Sequence, residues 1–247
     1  MKVWIEKPVE PSLLILAWQA PDGQKDRRRW AVGIVEHVDH HVFRYFSAEE
    51  LALHNDGRTP DHLKAAGFVG YPAFLFELGK RFETDVMTTF MRRLPPTSRP
   101  DFARYEEYFS IRPGSSISGA SLLALTEARL PGDGFSMVDP LDPVVEVCDA
   151  SFEIAGFRYE AADCKPSLGD ALSLQREPTN EHDPNAVAVY WQGRRIGFVN
   201  RLQAKTVSQW LDARSIACEV LRLNGKSDAP RAYAKISVRP RCQILAA

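Results

Sequence analysis

The strongest strand pattern in the chain reads Asn185-Ala-Val-Ala-Val-Tyr-Trp191, and after Gln192-Gly193 it returns as Arg195-Ile-Gly-Phe-Val199. Valine, isoleucine and aromatic residues favour a pleated, half-buried strand. A two-residue link that ends in glycine favours a tight hairpin turn, because glycine accepts a positive φ. The stretch therefore predicts two antiparallel strands joined by a two-residue turn.

A third strand is predicted just before this hairpin. Residues Ala171-Leu-Ser-Leu-Gln-Arg176 alternate, which turns Leu172 and Leu174 inward and the polar residues outward. The link from Glu177 to Pro184 contains two prolines together with Asn180 and Asp183, so it predicts a corner rich in turns. Residues 157–199 thus form a compact β unit with polar side chains fixed at its turns.

The rest of the second half continues the same pattern. We predict a strand over 144–152, a helix over 201–213 and two more alternating strands over 217–223 and 232–238. Six short strands and one helix in about 100 residues are typical of a small, partly open β-barrel.

The first half predicts a small antiparallel sheet followed by helices. Its strands cover 13–18, 30–35 and 40–46, helices begin at Ser47, Thr84, Ser98 and Ala120, and residues 55–73 are mostly loop. Asp139-Pro-Leu-Asp-Pro143 has the composition of a linker. We therefore expect an α+β protein of two domains, residues 1–142 and residues 143–247.

Composition places the chain among ordinary globular proteins. Of its 247 residues 45% are hydrophobic and 26% charged, and no apolar run approaches the roughly 20 residues that span a bilayer. The first residues lack the pattern of a signal peptide, so we expect a cytoplasmic protein without membrane contact. Its four cysteines are widely spaced, which favours free buried thiols over disulfides or a zinc site.

Charge is unevenly distributed along the chain. The whole protein has a net charge of −1, but from Tyr190 onward there are 11 Lys+Arg against 3 Asp+Glu, a net charge of +8. These cations could belong to solvated faces or to a basic surface that contacts phosphates. Both interpretations stay open at this point.

Patterns for catalysis or metal binding are weak. His37, His40 and His41 surround Asp39, and a surface loop is the better explanation than a metal site. Residues 27–29 are three arginines, and we expect an exposed turn there rather than a phosphate contact. A metal nuclease site built from His182, Asp183 and Asp163 is conceivable, but we predict no enzyme, no catalytic or metal-binding residue and no cofactor.

The second half is similar to the HIRAN domain over residues 145–240. The resemblance rests on Gly156-Phe-Arg-Tyr159, on Leu174-x-Arg176-Glu-Pro178-x-Asn180-x-x-Asp183-Pro-Asn185-Ala186, and on Ile196-Gly-Phe-Val199. This family occurs fused to DNA-remodelling helicases and as free-standing bacterial proteins. The resemblance implies an OB-like six-stranded barrel with one or two helices, which captures the 3′ end of single-stranded DNA.

The resemblance also implies roles for individual residues. Arg158 would hold a phosphate and Tyr159 would stack on the terminal base. Asn180 and His182 would line the pocket, and Asp183 would accept a hydrogen bond from the 3′-hydroxyl. The backbone phosphate would be contacted by Arg201.

Two residues depart from the helicase-linked pattern, since His182 replaces an aromatic residue and Phe198 a polar one. A structural alternative exists for Asp183, because an aspartate can close a turn through its own side chain. Tyr159 could equally lie at the edge of the core, and Gly197 is expected to serve the backbone rather than a ligand.

The first half weakly resembles the small N-terminal subdomain of HipA-type toxin kinases. The resemblance spans Trp30-x-Val32-Gly33, Val42-Phe43-Arg44-Tyr45 and a segment ending near Leu123, without the phosphate- and magnesium-binding motifs of a kinase. One hypothesis is thus a protein that binds single-stranded DNA or DNA 3′ ends in repair or in defence against foreign DNA. The alternative is a non-enzymatic adaptor or regulator of a HipA-like kinase or another effector, with the barrel as a protein-interaction module. The candidate protein partners are a kinase, a helicase or a nuclease.

Overall fold

The computed structural model describes residues 2–21, 28–37, 40–161, 164–226 and 229–241. The chain divides into two compact units, which we name after their sheets. The five-stranded unit comprises Glu10–Phe102 and Ile117–Pro140, and the six-stranded unit comprises Met1–Val9, Ala103–Ser116 and Leu141–Ala247. These units differ from a single division after residue 142, because Met1–Val9 and Ala103–Ser116 group with the six-stranded unit.

The five-stranded unit contains an antiparallel sheet of order β4-β3-β2-β1-β5. Its strands are β1 (Leu13–Gln19), β2 (Arg29–His37), β3 (His41–Tyr45), β4 (Arg81–Phe82) and β5 (Phe135–Val138). Its helices are α1 (Ala48–His54), α2 (Pro60–Ala65), α3 (Val86–Met91) and α5 (Gly119–Thr126). The predicted sheet is thus confirmed, and β4 and β5 extend it.

Buried polar groups tie loops to the sheet of the five-stranded unit. The Tyr45 hydroxyl accepts a hydrogen bond from the Tyr71 N–H and donates one to the Phe74 carbonyl, both at 2.8 Å. Burial raises the pKa of Tyr45 to about 12, so the hydroxyl keeps its proton. The helix predicted to begin at Ser47 is present as α1, and Ser47 and Glu50 form a capping box at its start.

Residues 55–73 are mostly loop, as predicted, but the short helix α2 lies within them, and Thr59 followed by Pro60 was its overlooked start. The prediction of an exposed turn was wrong for Arg29. Arg29 does not lie in an exposed turn but bonds Glu127, with 2.6 Å between Nη2 and Oε2. Burial alone would raise the pKa of Glu127, but Arg129 and Arg29 hold it at about 2.

The six-stranded unit contains an antiparallel sheet of order β6-β11-β10-β7-β8-β9. Its strands are β6 (Cys148–Glu153), β7 (Ala171–Arg176), β8 (Val187–Trp191), β9 (Arg194–Phe198), β10 (Arg214–Lys226) and β11 (Ala229–Pro240). Its helices are α4 (Phe102–Tyr108), the one-turn α6 (Phe157–Glu160) and α7 (Arg201–Ala213). The six strands and the long helix agree with the sequence prediction.

Local chemistry explains the hairpin and the helix. Gln192 and Gly193 both have positive φ, 49° and 78°, as a two-residue hairpin turn with the twist of the strands requires. The Asn200 side chain accepts a hydrogen bond from the Leu202 N–H and caps α7. The helix buries Val207 and Trp210 in a core shared with every strand of the sheet.

The two edges of this sheet meet at one point. Ala155, which follows β6, forms an isolated antiparallel bridge with Phe198 at the end of β9. Their backbone N–H groups donate to each other's carbonyls at 2.7 and 2.9 Å. The sheet is therefore barrel-like, as predicted for a partly open barrel, while the OB-like topology stays a prediction.

Asp149 anchors the N-terminal segment to β6. Its carboxylate, 2% exposed, accepts hydrogen bonds from the Glu6 and Lys7 N–H groups at 2.8 and 3.1 Å and from the Ser237 hydroxyl at 2.7 Å. The Asp149 N–H donates to the Lys7 carbonyl at 2.8 Å. We call this set of contacts the Asp149 anchor.

Residues 103–116 are held by stacking on the same unit. The Arg222 guanidinium carbon lies 4.5 Å from the ring centre of Phe109 and 4.0 Å from that of Tyr233. The Asn224 side chain donates to the Tyr108 hydroxyl at 2.8 Å. Cation–π and hydrogen-bond contacts thus attach a segment of the first half to β10 and β11.

Several smaller expectations can be compared with the structure. Cys148, Cys164 and Cys218 are buried thiols that form no disulfide, as predicted, and Cys242 lies outside the described residues. Burial raises the pKa of Cys218 to about 12. No helix within the described ranges is long and apolar enough to cross a membrane.

Candidate nucleic-acid interface

The sheet register gathers the predicted site at one end of the barrel. Arg176 pairs with Val187, so the corner between β7 and β8, residues 177–186, lies at that end. Ala188 pairs with Phe198, so β9 also ends there and α7 begins there. The bridge from Phe198 to Ala155 brings α6 to the same place. Three separate segments of the chain therefore meet at one end of the six-stranded sheet.

Gly197 makes this meeting possible. Its φ is 141°, and a Cβ at this position would lie 2.4 Å from the Ala155 carbonyl oxygen. Real side chains do not tolerate such an approach, so any other residue would push β9 away from the bridge. The expectation that Gly197 serves the backbone agrees with this geometry.

Helix α6 presents Arg158 and Tyr159 to solvent. Phe157 is buried in the core and fixes the turn, whereas the Tyr159 side chain is 71% exposed. The Arg158 guanidinium donates to the Tyr159 hydroxyl and lies 4.4 Å from the ring centre. Tyr159 is therefore an exposed aromatic platform with a cation beside it, and not a residue at the core edge.

The corner is shaped by its own polar side chains. The Asn180 carbonyl Oδ1 accepts hydrogen bonds from the His182 and Asp183 N–H groups at 3.0 and 3.2 Å. Asp183 Oδ1 accepts from the Asn185 N–H at 2.8 Å, which closes an Asx turn across Pro184. The structural alternative weighed for Asp183 thus applies to one of its oxygens.

The second oxygen of the Asp183 carboxylate, Oδ2, does not take part in the turn. Oδ2 has no hydrogen-bond partner among the described residues, and the side chain is partly exposed. The His182 side chain is exposed as well. An acceptor oxygen and an imidazole at the rim of the corner are groups that a polar ligand can reach.

A chain of ion pairs links α6 to the corner. Arg195 on β9 donates from Nε and Nη2 to Glu160 at 3.0 and 3.3 Å, and from Nη1 to Glu177 at 3.4 Å. The other oxygen of Glu177 accepts from the Asn180 amide at 3.0 Å. The hydrogen bond to Glu160 raises the pKa of Arg195, so this guanidinium stays charged. We call these four residues the Arg195 bridge.

Arg201 and Phe198 lie on the third side. Arg201 is the first residue of α7, directly after the capping residue Asn200. The Phe198 ring is half-buried, and the Arg195 guanidinium carbon lies 5.0 Å from its centre. The first turn of α7 therefore adds a cation to the same end of the barrel.

The predicted residues thus fall into three groups. Arg158 and Tyr159 share α6, Asn180, His182 and Asp183 share the corner, and Arg201 begins α7. Sequence reasoning missed the Arg195 bridge, because its members are 18 and 35 residues apart and have no local spacing pattern. That the six predicted residues contact a ligand stays a prediction.

A cavity of about 610 Å³ lies elsewhere in the six-stranded unit. Its lining includes Trp4, Arg112, Glu219 and Lys235, and Glu219 pairs with Ala171 at the start of β7, away from the corner. Arg112 contacts Glu6 at 2.5 Å and Lys235 contacts Glu219 at 3.5 Å. Lys2, which also lines the cavity, contacts Glu107 at 3.1 Å. Because all three cations are paired with carboxylates, this cavity does not suit an anionic strand.

The metal-site predictions can be compared with the structure only for the described candidate residues. Within the described ranges, no group of three or more His, Cys, Asp or Glu side chains could hold a metal ion. His37 and His41 do not lie in a loop, because they end β2 and begin β3 and pair with each other, while His40 is exposed between them. Asp39 and Asp163 lie outside the described residues. Arg27 also lies outside them.

The family model that matches this chain covers part of its second half. Residues 147–240 match the family model of the HIRAN domain. The solved HIRAN domain of human HLTF is 21% identical, covering 36% of this chain and 74% of that chain with a TM-score of 0.31. A Lactobacillus plantarum protein is 20% identical, covering 38% of this chain and 96% of that chain with a TM-score of 0.30.

No curated protein matches the chain. The family match does not include the first half, so its resemblance to the HipA subdomain stays an expectation. All the predicted site residues fall inside the matched range, on α6, in the corner and at the start of α7. Residues 147–240 are therefore a HIRAN domain.

Proposed function

We propose that this protein binds single-stranded DNA at its 3′ end through the HIRAN domain. The observation that carries the proposal is that the exposed Arg158–Tyr159 pair, the corner around Asp183 and the start of α7 meet at one end of this domain. HIRAN domains are in general DNA-binding modules, and the end of the barrel offers the chemistry that such a ligand needs.

Each group suits one part of a DNA end. Tyr159 offers an exposed ring on which any base can stack, at about 1–3 kcal/mol per base. Arg158 and Arg201 can each pair with a phosphate. Asp183 Oδ2 can accept a hydrogen bond from a 3′-hydroxyl, and its negative charge repels a 3′-phosphate. His182 and Asn180 would line the pocket.

The test is fluorescence anisotropy with oligonucleotides that differ only at the 3′ end. The 3′-hydroxyl strand should bind more tightly than the 3′-phosphate strand. Two phosphate contacts predict a plot of log affinity against log salt with a slope of about −1.4. Negligible binding to both strands, with no change in Arg158→Ala or Asp183→Ala, would reject the proposal.

A conservative variant separates the carboxylate from the turn. Asp183→Asn retains an oxygen that can accept the Asn185 N–H, so the corner should persist. It removes the negative charge, so discrimination between 3′-hydroxyl and 3′-phosphate strands should fall. Retained discrimination in this variant would assign end selectivity to another group.

The proposed role is in DNA repair or in defence against foreign DNA, through a partner such as a kinase, helicase or nuclease. We propose that the protein itself is not an enzyme and needs no cofactor. Incubation of the purified protein with labelled DNA or ATP in the presence of magnesium or manganese checks this. Turnover that follows the protein through purification would contradict it.

A further inference from the structure

The Arg195 bridge connects the two proposed walls of the site. Arg195 binds Glu160 on α6 with two nitrogens and Glu177 with a third. Glu177 holds Asn180, whose Oδ1 holds the backbone of His182 and Asp183. Hydrogen bonds therefore run without a break from the helix that carries Tyr159 to the residue that faces the strand end.

We propose that Arg195 is a positioning residue that fixes the spacing between α6 and the corner, and so sets the affinity for a DNA end. The inference rests on the proposed function, because it concerns the same site. Arg195 donates to two carboxylates and lies against Phe198, which leaves its role within the protein rather than on the ligand.

The alternative role for Arg195 is a direct phosphate contact. Its side chain is 41% exposed, so a phosphate could reach it if one carboxylate were displaced. The two roles predict opposite effects of removing Glu160. A freed Arg195 would bind phosphate more strongly in Glu160→Gln, whereas a broken bridge would weaken binding.

The first experiment measures anisotropy with a 3′-hydroxyl oligonucleotide for Glu160→Gln, Arg195→Gln and the double variant. We expect each single variant to bind about three- to fivefold more weakly, which is the scale of a partly exposed ion pair. Removing a carboxylate near DNA should by itself strengthen binding, so a loss in Glu160→Gln has no simple electrostatic explanation.

Two further readouts belong to the same experiment. The double variant should be no weaker than Arg195→Gln alone, because both changes break one bridge. The salt slope should stay at the wild-type value, whereas loss of a phosphate contact would reduce its magnitude by about 0.7. Unchanged or tighter binding in Glu160→Gln, or a reduced slope in Arg195→Gln, would overturn the proposal.

Arg176→Gln is the matched control. It removes the same charge next to Glu177 and breaks an ion pair with Asp212 on α7, which does not join α6 to the corner. Its affinity should change less than that of Arg195→Gln. An equal loss would mean that net charge alone sets the effect, and would also overturn the proposal.

A readout without DNA separates this inference from the proposed function. The amides of His182 and Asp183 are bonded to Asn180 at the end of the bridge, so amide hydrogen exchange should accelerate there in Glu160→Gln and Arg195→Gln but not in Arg176→Gln. If the wild-type protein binds no DNA, the proposed function fails and exchange alone tests the bridge. Exchange that is unchanged in both variants would reject it.

Discussion

Asp149 and Asp183 lie in the same unit and use their carboxylates in opposite ways. Asp149 is 2% exposed, and both of its oxygens accept hydrogen bonds from the protein. Asp183 is partly exposed and bonds with one oxygen only among the described residues. A carboxylate whose acceptors are all used inside the fold stabilises it, whereas one with a spare acceptor at a rim remains available to a ligand.

The largest effect is expected at the Asp149 anchor. Asp149→Ala would leave the Glu6 and Lys7 N–H groups without their acceptor and would remove one of the two carboxylates beside the buried Lys235, so the free energy of unfolding should fall by about 3 kcal/mol. Urea unfolding followed by circular dichroism measures this. Asp183→Ala is the control and should cost less than about 1 kcal/mol. Equal losses of unfolding free energy in the two variants would show that Asp149 and Asp183 do not differ in how they stabilise the fold.

A second test concerns the bridge that closes the sheet beside the corner. Gly197→Ala should lower the free energy of unfolding by about 2 kcal/mol, because the new Cβ collides with the Ala155 carbonyl. Gly193→Ala is the matched control, since it also has a positive φ but nothing within 4 Å of a Cβ. A cost no greater than that of the control would show that the close approach is not needed.

Tyr159→Ala tests a residue that is proposed to bind the ligand without stabilising the fold. Because this ring is 71% exposed, its removal should change the free energy of unfolding by less than about 0.5 kcal/mol. Affinity for single-stranded DNA should nevertheless fall by about 1 kcal/mol, or roughly fivefold. Anisotropy and urea unfolding on the same preparation separate the two effects. A loss of stability without a loss of affinity would mean that Tyr159, like Asp149, stabilises the fold and does not bind DNA.

The smallest effect is a pH dependence. Burial alone would raise the pKa of Asp149, but hydrogen bonds from Ser237 and from the Glu6 and Lys7 N–H groups, together with Lys235, lower it below the ordinary aspartate value. Since the folded pKa is the lower one, the anchor stabilises fully above about pH 4 and loses its contribution as pH falls further. Unfolding midpoints of wild type and Asp149→Asn should therefore converge in acid. A constant difference would contradict this.

Local pattern was sufficient to predict most strands and α7. The alternation over 171–176 and the Gln192-Gly193 turn depend on neighbours in sequence, and both were confirmed. The same reasoning located the corner, because prolines and Asx residues restrict their own backbone. The resemblance to the HIRAN family supplied the functional residues that pattern alone could not rank.

What was missed depends on distant partners. The anchor joins residues 143 positions apart, and the Arg195 bridge joins residues 18 and 35 apart. Neither β6 nor the first residues carry a local signal for this pairing. The helix at Phe157–Glu160 was also not predicted, since one turn is too short to show a helical period.

The N-terminal segment has a consequence for how the protein is made. Residues 6 and 7 leave the ribosome long before residue 237, yet the side chains that hold their partner Asp149 include Ser237, near the end of β11. These two residues therefore wait for β11 before their contact with Asp149 is complete. Contacts of such long sequence separation slow folding. During translation, residues 6 and 7 must stay without their complete set of native contacts until β11 has emerged.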